Sequence, residues 1–123
     1  MKFFRNGRYV GFSREEFACS CGCGLDTVDA NLLDALIEIK QYFNGAVVTI
    51  TGGNRCRSRN SAVGGAEHSK HLDCKAADFK VSGVSADVVY NYCDVNFAGK
   101  YGVGKYDGRT HIDVRDNKAR WGF

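Results

Sequence analysis

Two histidines and an aspartate stand at spacings that suit a metal ion. His71 and Asp78 lie seven positions apart in SKHLDCKAADF, and His111 follows in THIDV. Two imidazoles and one carboxylate make a three-ligand set that leaves the fourth position of a tetrahedral ion open, which is the arrangement of a catalytic zinc. A turn running into a strand can bring residues seven apart to one ion, and a later strand can return His111 to the same point. The chemistry such a set supports is metal-assisted amide hydrolysis, in which the ion activates water and polarises the scissile carbonyl. His68, three residues before His71, could face the same way in a helical turn and is the rival ligand. Hydrolysis also needs a carboxylate to accept a proton, and two are candidates. Asp113 lies two after His111 and therefore projects from the same strand face. Its other reading is an acceptor that orients His111 or pairs with Arg115. Asp107 lies four before His111 in an expected turn, where aspartate is common for local hydrogen-bonding reasons. Asp113 ranks first as the general base.

The elements that must position these residues follow from periodicity. Leu32, Leu33, Leu36, Ile37, Ile39 and Phe43 recur at three- and four-residue spacings, which predicts a helix over 28–43 capped by Asp26 or Asp29. AVVTI at 46–50 reads as a buried strand delivering the chain to Gly52, Gly53 and Arg55. RSRNSAVGG predicts a short helix or turn, and AADFKV a short strand carrying Asp78. A second helix over 85–97 is capped by Ser85 and presents Val88, Val89, Tyr92 and Cys93 to the core. KYGVGKY and RTHIDVR predict a hairpin turning at Asp107 and Gly108, which brings His111 back to the metal. The sum is an α+β fold, a small mostly antiparallel sheet flanked by two main helices.

Length and composition fit one domain over 1–123, with an N-terminal segment over 1–25 and a catalytic core over 26–123. At 44% hydrophobic content the chain can bury one core and has no room for a second. MKFFRNGRYVGFS lacks the apolar run of a signal peptide, and no later stretch is long enough to span a bilayer. Cytoplasmic synthesis without an export signal is therefore expected, with no membrane partner. A net charge of +3 with scattered basic residues does not suggest nucleic-acid binding. Arg55, Arg57 and Arg59, and the tail Arg115, Lys118 and Arg120, are the only basic groupings. A monomer is expected.

Six cysteines, three of them in ACSCGCG, need a separate account. Without an export signal a disulfide framework is disfavoured. Cys19, Cys21 and Cys23 could wrap a second, structural zinc together with one distant thiolate. Their spacing is not the usual pair separated by two residues, so reduced, packed thiols are the preferred reading. Cys74, between His71 and Asp78, reads as a small buried side chain. Cys74 or Cys93 as a nucleophile lacks an activating motif.

ITGGNR, NSAVGGAEHSKHLDCKAADF, YGVG and HIDVRDNKARW, in this order, resemble the zinc D-alanyl-D-alanine peptidase family. That family groups cell-wall carboxypeptidases, vancomycin-resistance dipeptidases and phage endolysins, and the resemblance runs from Phe12 to Trp121. It implies a Hedgehog/DD-peptidase-like fold and a catalytic Zn2+ on His71, Asp78 and His111, with His68 a loop residue. It implies substrate-facing roles for Arg55, as carboxylate clamp or oxyanion donor, and for Ser69, whose other reading is a loop cap. Trp121 matches a terminal aromatic of the family, for which packing is a sufficient explanation. The implied substrate is a peptidoglycan stem peptide or cross-link, cut by a carboxypeptidase or an endopeptidase of a phage or prophage lysis system that acts on the wall after release. The sequence departs from the family at Gly108, where many members carry an acid three residues before the last histidine. That departure leaves open a non-catalytic, zinc-stabilised module that binds cell wall or protein, as in the related Hedgehog domain.

Overall fold

A computed structural model describes residues 1–122. Its elements are β1 (Lys2–Arg5), β2 (Arg8–Ser13), a 3-10 turn (Arg14–Phe17), α1 (Ala30–Tyr42), β3 (Val48–Gly52), α2 (Arg57–Ala62), a second 3-10 turn (Lys70–Asp73), β4 (Ala76–Val81), α3 (Ala86–Asn96), β5 (Gly102–Tyr106), β6 (Arg109–Asp113) and β7 (Ala119–Trp121). The class is α+β, as the sequence predicts. Five strands form the main sheet in the order β3-β4-β6-β5-β7, antiparallel throughout except for the parallel β5–β7 pair. Among the described residues no helix is long and apolar enough to cross a membrane.

Helix α1 begins where Asp29 accepts hydrogen bonds from the N–H groups of Asn31 and Leu32, at 2.8 and 3.3 Å. Asp29 itself is extended, so the helix starts two residues later than periodicity predicts and Val28 packs from outside it. Leu32, Leu33, Ala35, Leu36 and Ile39 are buried, in one cluster with Phe79, Val81, Val103 and Ile112 of the sheet. Phe12 and Phe17 bring the N-terminal segment into the same core. Burial of such side chains, at roughly 1.5–3 kcal/mol each, is the main force holding the layers together.

Several expectations change. β3 is an edge strand, so only Val48 of its five residues is buried and Thr49 faces out. The strand begins two residues later than predicted because Ala46 still bonds back to Phe43 in the turn after α1. In α3 it is Val89, Tyr90 and Cys93 that face inward, while Val88 is 50% exposed. The N-terminal segment, given no element from sequence, folds as the β1–β2 hairpin. Its Asn6–Gly7 turn has φ of 52° and 76°, the paired left-handed geometry that suits tight hairpins and that glycine adopts without strain. Within the basic tail Lys118 is exposed, but Arg120 turns inward. Arg120 is nearly buried, bonded to Asp94 at 2.8 Å and to the carbonyls of Phe97 and Tyr101 at 2.8 and 2.7 Å, which ties β7 to the end of α3.

Candidate metal centre

The strand register builds most of the centre. Asp78 on β4 and His111 on β6 are directly opposed, so their side chains leave the same face of the sheet. His71 arrives from the 3-10 turn before β4, which Ser69 caps by accepting a hydrogen bond from the His71 N–H at 3.2 Å. The turn closes at Cys74 in the left-handed region, with φ of 60°, before the chain enters β4. One donor atom from each of His71, Asp78 and His111 lies within 4.8 Å of the others, and all three residues are buried.

The hydrogen bonds fix which atoms face one another. His71 Nδ1 lies 2.6 Å from the Gly53 carbonyl, which can only accept, so Nδ1 carries the proton and Nε2 presents its lone pair. That lone pair faces Asp78 Oδ2 at 3.5 Å. Two acceptors opposed in a buried site call for a cation between them. His111 turns Nδ1 to Asp78 Oδ1 at 2.9 Å and Nε2 to Asp113 Oδ2 at 2.8 Å. The separations of 3.5 and 2.9 Å straddle the roughly 3.4 Å expected between nitrogen and oxygen ligands on a tetrahedral zinc. The donor set therefore fits the ion.

Charge is balanced around it. Burial would raise the Asp78 carboxyl, but the adjoining imidazoles of His111 and His71 outweigh it and hold the group well below the usual carboxylate range. Asp113 follows the same pattern, burial being outweighed by His111 and Arg115. For His111 burial lowers the pKa, but the carboxylates of Asp113 and Asp78, one beside each ring nitrogen, outweigh it and raise it. Arg115 grips Asp113 by two bonds, from Nε at 2.6 Å and Nη2 at 2.8 Å.

This geometry bears on the two roles open to Asp113. The residue shares a face with His111, as strand periodicity predicts, but is fully buried and approaches the imidazole at Nε2, the nitrogen turned away from Asp78. Both its oxygens are held. Its contacts are those of the second reading, an acceptor that orients His111 and pairs with Arg115.

The other candidates line one cleft, made of two adjoining hollows of about 550 Å³ each that share Arg55, Val63, Asp78 and Arg109. Arg55 is half-buried, with its backbone N–H bonded to the His71 carbonyl at 3.1 Å and Nη1 to Asn60 Oδ1 at 3.2 Å. Ser69 lines the hollow of the ligands while serving as the turn cap. Asp107 lines the other hollow beside Asp78 and Arg109. His68 lines the cleft but does not join the ligand group among the described residues. Cys74 is half-buried and outside that group. A separate hollow between β2 and α1 shares no residue with the cleft.

Three contributors have no site role in the sequence reading, which gives Trp121 to packing. Trp121 lies with its ring centre 5.0 Å from that of His111 and donates its indole N–H to the Tyr106 hydroxyl at 2.8 Å. Arg109, two before His111 on β6, lines both hollows, and strand periodicity alone could have drawn attention to it. The Gly53 carbonyl had no sequence signal beyond the glycine. A Cβ there would come within 2.6 Å of the Phe17 carbonyl, so only glycine lets this segment pass close enough to hold His71.

A comparison with protein families finds that the model of Peptidase M15 matches residues 10–113, a span that includes Arg55, Ser69, His71, Asp78, His111 and Asp113. The family is zinc-dependent, in agreement with the donor set. None of the curated proteins compared with the chain matches it.

Proposed function

The chain belongs to the peptidase M15 family, and from that premise we propose that it hydrolyses peptide bonds of peptidoglycan, with zinc held by His71, Asp78 and His111. The observation that carries this reading is the convergence of those three side chains in a cleft whose walls bear Arg55 and Arg109. Stem peptides carry carboxylates at their ends and along their length, and two guanidinium groups beside the reacting centre suit that charge.

Zinc, when bound, supplies Lewis acidity, activating water near neutral pH and polarising the scissile carbonyl. The chain's own groups do the rest. Gly53 and Asp113 fix the two imidazoles so that each presents one chosen nitrogen. Arg55 binds a substrate carboxylate or the oxyanion as charge develops, and Ser69 offers its hydroxyl proton to the peptide. Among the carboxylates lining the cleft, Asp78 is a ligand, Asp113 is locked by Arg115, and Glu16 accepts from the Ser13 N–H at 2.6 Å. Asp107 is left to accept the proton, from the turn that carries Gly108 in place of the family's usual acid. Trp121 covers one side of His111 and limits water there. The setting is a phage or prophage lysis system in which the protein reaches the wall after release from the cytoplasm.

A second reading, a zinc-stabilised binding module, is favoured by one observation: the carboxylate nearest His111 is fully engaged in supporting it. Product analysis separates the two. Purified muropeptides incubated with zinc-loaded protein should show, by mass spectrometry, either loss of terminal alanine (a carboxypeptidase) or a cut within the stem or bridge (an endopeptidase). Intact muropeptides from several wall types, in the presence of bound zinc, would instead support the binding module.

A further inference from the structure

A second group of metal-binding side chains shares no residue with the ligand cleft, although Ala18, Ser20 and Arg55 on its flanks line it. Residues 18–29, between the first 3-10 turn and α1, contain neither helix nor strand. The segment curls back on itself, with Cys19 N–H bonded to the Leu25 carbonyl at 2.8 Å and Gly22 N–H to the Cys19 carbonyl at 3.2 Å. This curl gathers the thiols of Cys19, Cys21 and Cys23 and sets them against Cys56, which immediately precedes α2. The Sγ separations are 3.4 Å for Cys19–Cys21, 3.9 Å for Cys19–Cys56 and 3.6 Å for Cys21–Cys56, and all four sulfurs lie within 4.8 Å of one another.

Four thiolates on a tetrahedral zinc, with zinc–sulfur bonds of about 2.3 Å, stand roughly 3.8 Å apart. The three separations bracket that edge. A disulfide would join sulfurs in pairs at about 2.05 Å, whereas here Cys19, Cys21 and Cys56 are mutual neighbours. Packing does not account for the group, because Cys21 and Cys23 are exposed and gain nothing from burial. The Cys56 N–H points at Cys19 Sγ at 3.5 Å, a donor that suits a thiolate. The net charge of −2 on such a centre would sit beside a segment carrying Arg55, Arg57 and Arg59.

We propose that Cys19, Cys21, Cys23 and Cys56 form a structural zinc site, a closed set of four thiolates that ties the 18–29 loop to the segment carrying Gly53 and Arg55. On binding, the four thiols release their protons to solvent and no electron is transferred. Cys56 is the distant fourth ligand, brought 37 residues along the chain to Cys19. The tie has a consequence for the cleft. Gly53 holds His71, Arg55 lines the substrate walls, and Asn54 bonds the loop at the Thr27 carbonyl at 2.6 Å, so the thiolate centre clamps the segment that sets both.

The test is a metal count on the full chain, purified under reducing conditions, by plasma mass spectrometry. Wild type should hold two zinc ions. His71→Ala should hold one, and its cobalt-substituted form should show the intense thiolate-to-cobalt charge-transfer bands of a sulfur-rich tetrahedral site. Cys21→Ser/Cys23→Ser should also lose one zinc. If that variant does not fold, the wild-type count and the cobalt spectrum of His71→Ala decide. One zinc in wild type with none in His71→Ala would overturn the proposal. So would a cobalt spectrum without sulfur bands, or iron in place of zinc.

Discussion

Replacing Asp113 by asparagine keeps the shape of the side chain and removes its charge, which makes it a direct test of what this residue does. The carboxylate accepts from His111 Nε2 at 2.8 Å and from Arg115 at 2.6 and 2.8 Å. An asparagine has one oxygen for these donors, and Arg115, a permanent cation, takes it. The amide NH2 then faces His111 Nε2 and forces that nitrogen to accept, which moves the ring proton to Nδ1. Nδ1 is the atom turned toward Asp78, so the substitution protonates the nitrogen needed for the metal. Loss of such a supporting partner weakens metal affinity by about 10- to 100-fold, or roughly 1.4–2.7 kcal/mol. Fold stability also falls, though less than for a wholly buried ion pair, because the Arg115 side chain is 32% exposed and water can take over its charge. A loss of about 1–3 kcal/mol is expected. Competition against a chromophoric chelator at fixed pH reads zinc affinity, and chemical denaturation of the metal-free protein reads stability. Unchanged zinc affinity would refute the reasoning. If turnover then fell through kcat alone, Asp113 would be the proton acceptor after all.

Further expectations follow from other contacts. Gly53→Ala would drive a Cβ to within 2.6 Å of the Phe17 carbonyl; a cost of about 1–3 kcal/mol and weaker zinc binding should appear together in denaturation and chelator titration. Arg55→Ala should lower kcat/KM by about 10²–10³ on substrates with a free carboxylate if it stabilises the oxyanion, with zinc content unchanged; a preserved kcat/KM would remove Arg55 from the reaction. Burial pushes the Cys93 thiol from 9.0 up to about 12. Its stabilising contribution is therefore whole below pH 9, where the unfolded thiol is still protonated, and is lost as pH rises from 9 toward 12. Stability relative to Cys93→Ala should fall by about 1.4 kcal/mol per pH unit in that window; parallel curves for the two proteins would contradict it.

Local chemistry was the legible part of this chain. The Asp29 and Ser85 caps, the α1 stripe from Leu32 to Ile39, β4 from Ala76 to Val81 and the turn at Asp107–Gly108 depend on neighbours within a few residues. Non-local pairings were not legible. β7 joins the sheet through a parallel contact with β5, and no turn motif announces it. The β1–β2 hairpin does carry a local signal, Asn6–Gly7, the pair that forms its tight turn. At the metal centre, strand periodicity gives the shared face of His111 and Asp113 but not which ring nitrogen each carboxylate meets. That is decided by the β4–β6 register, which sets Asp78 opposite His111. Cys56 likewise gives no hint in sequence that it meets Cys19 and Cys21.

The proposed hydrolysis of peptidoglycan peptides requires zinc held by His71, Asp78 and His111. The most direct measurement is muropeptide hydrolysis by chelated protein as zinc is added back, run beside His111→Ala. Turnover should be absent without metal, return as zinc is restored, and stay absent in the variant at every zinc level. Hydrolysis that persists in the chelated protein, or that zinc restores equally in His111→Ala, would rule out a catalytic zinc on these three residues.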